Sequence, residues 1–129
     1  MHKKNESHLT TILIIVGFLL FILNKEFLRP KYGSLPVIGI VLGSLPNFLG
    51  AFCYSIIAIE FFTKKRKYRG REAGLITFII FLILTVEEFY PFLTATRTFD
   101  YYDILASGLG SILVVFYYEW FNNKKKLQP

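Results

Sequence analysis

Four carboxylates and one guanidinium fall in a single short stretch of this chain: Glu87 and Glu88, then Arg97, then Asp100 and Asp103. Adjacent glutamates can serve acid–base chemistry, and with the two aspartates they could in principle hold a divalent ion. Arg97 carries a planar fork that suits a carboxylate or a phosphate. Asp100 and Asp103 are three residues apart and share one face if a helix has begun there. They suit a second role equally well, as N-cap and first-turn acid of that helix. Asn47, just after Pro46, could hydrogen-bond toward the glutamates or help cap its own helix. No nucleophile pairs with a base in this pattern, since His2 and His8 lie near the N-terminus. The single Cys53 can form neither an intramolecular disulfide nor a cysteine metal site, and it reads as a small buried hydrophobe. A binding cluster is therefore favoured over an active site, with no metal or cofactor assigned.

The elements that must position these groups are apolar. Of the 129 residues, 53% are hydrophobic and 19% charged, against about 45–50% and about 25% in an average soluble domain. The charges sit in blocks at the ends of long apolar runs, as in membrane helices. A net charge of +6 would suggest nucleic acid if the basic residues lined one polar face, which they do not. The runs predict an all-α, single-domain, polytopic membrane protein over 1–129, with four transmembrane helices in a compact bundle. The spans are about 8–26, 46–63, 73–90 and 103–121. The first lacks the small residues of a cleavage site and is expected to remain as an anchor. Leu35 to Gly43 reads as a short broken or interfacial helix before the second span, because Ser44-Leu45-Pro46 looks like a helix start.

Eleven of the fifteen basic residues lie on one side of this layout: Lys3 and Lys4, the Lys64 to Arg71 loop, and Lys124 to Lys126. The positive-inside rule then places both termini in the cytoplasm. Glu87 lies about 21 Å along the third span, inside the outer edge of a hydrocarbon core about 30 Å thick. A carboxylate at such depth is costly and needs a partner, a proton or water. Glu60 and Glu119, near the cytoplasmic ends, read as ion-pair partners of Lys64 and of the terminal lysines. Ala106 with Gly110, Ser107 with Ser111, and Gly39 with Gly43 form small-residue stripes that favour close packing and could support a homo-oligomer through span four. Tyr101, Tyr102, Tyr117, Tyr118 and Trp120 gather at run ends as interfacial belts do.

Glu87-Glu-Phe-Tyr-Pro91, followed by Arg97-Thr-Phe-Asp100-Tyr-Tyr-Asp103-Ile-Leu-Ala-Ser-Gly-Leu-Gly110, resembles the signature of the VanZ-like family of small bacterial membrane proteins. Ser44-Leu-Pro-Asn47-Phe resembles the same family's Pro-Asn-Phe element. Two positions depart from the pattern. Tyr90 or Pro91 stands where the family has glutamine, and Ser107 where it often has asparagine. The resemblance implies a multi-pass protein of the bacterial inner membrane and cell envelope, linked to tolerance of teicoplanin-type glycopeptide antibiotics. Its outward-facing Glu87, Glu88, Arg97, Asp100, Asp103 and Asn47 would then bind a membrane lipid, a cell-wall precursor or a lipid-linked sugar. An intramembrane enzyme acting on a lipid head group and a subunit of a small transporter are the alternatives.

Overall fold

The computed structural model describes residues 2–63, 70–90 and 99–127. Every regular element among them is helical: α1 (His2–Leu23), a π-helical turn (Asn24–Leu28), α2 (Arg29–Tyr32), α3 (Pro36–Phe62), α4 (Gly70–Phe89) and α5 (Tyr101–Lys126). Three helical segments are long and apolar enough to cross a membrane: Ser7–Tyr32, Pro36–Phe62 and Tyr101–Lys124. In α4, Arg71 and Glu72 open the helix and Glu87 and Glu88 close it. The uncharged stretch between them, from Ala73 to Val86, is about 21 Å long at 1.5 Å per residue.

The burial pattern is that of a membrane protein, with the aliphatic and aromatic bulk outside and small or polar residues inside. Phe18, Leu19, Val37, Phe61, Leu75 and Phe116 all face outward. From Ser7 to Asn24 the buried positions are Thr10, Gly17 and Asn24, one every seventh residue, and nearly everything else in that stretch is exposed. On α5 the buried stripe is Ser107, Gly110, Ser111, Val114, Tyr118 and Asn122. Between lipid-like tails and helices there is no hydrophobic driving force, so close approach and hydrogen bonds must hold such helices together.

α3 is the central element and packs against α1, α4 and α5. Its closest neighbour is α5: a Cβ added to Gly110 would run into the Phe48 carbonyl and touch the Ala51 side chain at 3.3 Å. The small-residue stripe expected on the fourth span thus does its packing inside the chain. Gly17 plays the equivalent part for α1, where an added Cβ would stand 2.5 Å from Cys53 Sγ. Gly43 has nothing within 4 Å of its would-be Cβ, so the Gly39–Gly43 stripe makes no such contact there. A small core of Ile56, Ile59, Ala73, Val114 and Tyr118 closes the bundle toward the Phe62 end.

The break expected before Pro46 is absent. Pro36 begins α3, and Pro46 sits inside one continuous 27-residue helix, about 40 Å long. Proline has no N–H to give the carbonyl four residues back and pushes that carbonyl aside. Here that carbonyl belongs to Leu42, and it accepts the Asn24 side-chain amide at 2.9 Å. Asn24 is itself fully buried. The vacated bond is replaced from a neighbouring helix, and α3 can run on. Ser44 is not a cap either: its hydroxyl donates back to the Ile40 carbonyl at 2.9 Å, inside the helix. A similar accommodation marks the end of α1, where the π turn comes just where Pro30 has no N–H for Glu26.

Candidate functional site

The predicted site residues divide into two groups. At the end of α4, Glu87 and Glu88 are both buried, 8% and 7% exposed, but adjacent positions on a helix point about 100° apart. Glu88 turns toward the start of α5. Its Oε1 accepts the Asp100 backbone N–H at 3.0 Å. Asp100 in turn caps α5, its Oδ1 accepting the Tyr102 N–H at 2.9 Å. The carboxylate of one helix thus takes up a donor just ahead of the next, the service that a capping-box glutamate performs within a single helix. Asp103 lies in the first turn of α5, where a negative charge suits the helix dipole. Phe89 against Phe99, with ring centroids 4.9 Å apart, packs the same junction. Asp100 therefore has the capping role anticipated for it, and Glu88 supports it.

Glu87 faces elsewhere. It lines a cavity of about 350 Å³ together with Asn47 of α3. Both line this cavity, and Asn47 is not at a helix end, since Pro36 starts α3 eleven positions earlier. The remaining wall is apolar and aromatic, with Phe18 and Phe21 from α1, Tyr54 and Leu49 from α3, and Leu84 from α4. No Cα of α1 lies within 8 Å of a Cα of α4 among the described residues. The cavity is the gap between these two helices, floored by α3. Two of its lining residues, Phe18 and Tyr54, are each about half exposed.

Arg97 and the Lys64 to Arg69 segment lie outside the described residues, as does Pro91. The remaining polar groups bind the frame. Glu60 accepts the Tyr118 hydroxyl at 2.8 Å, and Lys64, its expected partner, is among the residues outside the description. Tyr117 shares a hydrogen bond with Thr10 at 3.1 Å, tying α5 to α1. Both tyrosines therefore turn into the bundle, while Tyr101, Tyr102 and Trp120 are exposed, with Lys124 Nζ 4.0 Å above the Trp120 ring. A second, nearly apolar groove of about 490 Å³ runs between α4 and α5, past Thr77, Phe81, Ser111 and Glu119. Among the described residues no three His, Cys, Asp or Glu side chains are grouped closely enough to hold a metal ion.

Sequence reasoning missed the part played by Asn24, Thr10 and Gly17, and the aromatic wall given by Phe18, Phe21 and Tyr54. The first three carried a signal, since small or polar residues recur at a spacing of seven in an otherwise apolar run. The wall carried none, because aromatic residues in a membrane helix face lipid as readily as they face a cavity. No family model, curated protein or solved structure matches the chain. The VanZ-like resemblance accordingly rests on the motif residues themselves.

Proposed function

We propose that this chain is a four-span, VanZ-like protein of the bacterial inner membrane that binds a membrane-resident, envelope-related ligand and does not transform it. α4 is the fourth span in this reading. Its charged ends would sit toward the two interfaces, with Glu87 and Glu88 sheltered against neighbouring helices. An even number of spans agrees with the clustering of basic residues at both termini and in the loop before α4, and it puts both termini in the cytoplasm.

The observation that carries the binding reading is that Glu87 and Asn47 line one otherwise largely apolar cavity, of which Phe18 and Tyr54 are half exposed. A carboxylate in a transmembrane segment is expensive and marks a functional site by default. Glu88 serves the start of α5, whereas Glu87 lines the cavity. Concave, mostly apolar pockets with a few converging polar groups are the usual form of a ligand site.

Complementation of a deletion strain tests the proposal. Under envelope stress, including a teicoplanin-type glycopeptide, Glu87→Gln and Asn47→Ala should fail to restore growth although they accumulate at wild-type levels. Glu88→Gln, which keeps an acceptor for Asp100, should restore it. Full complementation by Glu87→Gln at normal abundance would sink the assignment.

A further inference from the structure

We propose that the Lys25–Tyr32 end of the first span holds the phosphate of an anionic membrane lipid, with Lys25 and Arg29 as its paired cations and Tyr32 as a third contact.

The sequence concentrates charge there. Lys25, Arg29 and Lys31 fall within eight residues that contain a single acid, Glu26. All four of these side chains are exposed, as are Phe27 and Tyr32. The spacing sorts them by face. Arg29 follows Lys25 by four positions and Tyr32 follows Arg29 by three, so the three are neighbours along one side of the helix. The π turn and α2 carry the helix through this stretch without a break. Its rotation is fixed from within the bundle, because Asn24 is fully buried and donates to the Leu42 carbonyl at 2.9 Å. Lys25, about 100° further round, is thereby turned out of the packed face.

The level of the pair matches that of lipid phosphate. At 1.5 Å per residue Arg29 lies about 30 Å from Leu9, where the apolar run begins, and a hydrocarbon core is about 30 Å thick. Lys25 is one turn deeper, and its four-carbon stem reaches to the same layer. Phe27, 66% exposed, and Leu23, 44% exposed, offer apolar surface beside the cations for acyl chains. A soluble polyanion would make no use of that surface.

Charge then selects among lipids. The Arg29 fork suits two phosphate oxygens, Lys25 adds a point charge, and the Tyr32 hydroxyl can donate a hydrogen bond. Glu26 offsets one of the three cations, which leaves a local excess of two positive charges. The negative end of the helix dipole also falls here, but it is equivalent to only about half a charge. Lys31 Nζ stands 5.3 Å from the centroid of the Tyr32 ring, so the third cation adds to the field near that residue. A zwitterionic lipid brings a cation of its own into this field, and an anionic one such as phosphatidylglycerol does not.

The test uses the full-length protein reconstituted in phosphatidylcholine vesicles, with Phe27→Trp in a Trp120→Phe background so that the one tryptophan stands beside the pair. Quenching by brominated acyl chains then reports which lipid occupies that position. A basic residue at an anionic surface is worth a factor of about five. Brominated phosphatidylglycerol should therefore be preferred over brominated phosphatidylcholine by about twentyfold. Lys25→Gln or Arg29→Gln alone should cut the preference about fivefold, and the two together should bring it near parity. Lys31→Gln should lower it less than twofold. The substituted side chains are exposed, and circular dichroism with thermal unfolding verifies that each variant is folded. Equal quenching by the two lipids in the parent, or a preference that survives the double substitution, overturns the proposal. So does an equal loss on Lys31→Gln, which would mean diffuse attraction with no site at Lys25 and Arg29. Relief of quenching by added polyglutamate, for both lipids alike, would assign the cations to an acidic protein and overturn the lipid.

Discussion

The side-chain amide of Asn24 donates across 2.9 Å to the carbonyl of Leu42, the acceptor that Pro46 leaves without its helical donor. The residue just past the end of α1 thus repairs a defect in α3, and the repair fixes the two helices to each other at one level. Below it, Gly17 seats α1 on Cys53, and Thr10 reaches Tyr117. A spacing of seven keeps these three contacts on one face, the seam expected of helices that cross at a shallow angle.

The repair makes a coupling prediction. Asn24→Leu should destabilise the folded protein by about 1–3 kcal/mol, because it leaves a buried carbonyl without a donor. Pro46→Ala restores a backbone N–H to Leu42 and should reduce that cost. A double-mutant cycle of unfolding in mixed micelles should give a coupling energy of about 1 kcal/mol. Equal costs of Asn24→Leu in both backgrounds would separate the two residues.

Helix approach predicts a contrast between glycines. Gly110→Ala forces a methyl against the Phe48 carbonyl and should cost about 1–3 kcal/mol, as overpacking does. Gly43→Ala meets open space and should be neutral or stabilise by up to about 1 kcal/mol, from its helix propensity. Unfolding midpoints of the two variants decide the matter.

The adjacent glutamates should separate in their effects. Glu88→Leu removes the acceptor for the Asp100 N–H and should lower stability by about 1–3 kcal/mol, while Glu88→Gln should cost less than half of that. Thermal unfolding distinguishes these variants. Equal losses for leucine and glutamine would show that charge matters at Glu88 and hydrogen bonding does not.

Tyr118→Phe deletes the hydroxyl that Glu60 accepts. A hydrogen bond to a charged group contributes about 1.5–3 kcal/mol, so the variant should unfold at measurably lower detergent denaturant. Glu60→Gln retains an acceptor and should lose less.

Topology gives the last prediction. If α4 crosses the membrane, cysteines placed at His2 and Lys126 in a Cys53→Ala background react with an impermeant maleimide from the cytoplasmic face only. One at Tyr101 reacts from the opposite face. Termini on opposite faces would mean that α4 does not cross.

The helical class and most of the helix limits were legible because long uncharged runs have few other physical readings. The second span misled for a definite reason. Serine followed by proline is a sound helix start when the chain is read locally, and only a donor supplied from a distant helix allows proline in mid-helix. Nothing in the sequence near Pro46 announces Asn24. The candidate site was half legible. The cost of burying a carboxylate pointed to Glu87 and Glu88, and the capping rules gave Asp100 its role. Adjacent residues on a helix face different ways, however, so a cluster compact in sequence became a structural junction at Glu88 and a cavity at Glu87. Tyr117 and Tyr118 show the same limit, since a belt residue and an inward hydrogen-bonding tyrosine look alike until the neighbouring helix is known.

The attachment of α1 also bears on how the protein is made. α1 leaves the ribosome before α3, and the acceptor that Asn24 needs lies eighteen residues behind it on that later helix. Until α3 arrives, α1 must reside in the bilayer as an independent anchor with an unsatisfied amide, which its long apolar exterior makes tolerable. Docking of α1 therefore follows insertion. A chain interrupted before Pro36 would leave an anchor that is inserted yet has nothing to dock against.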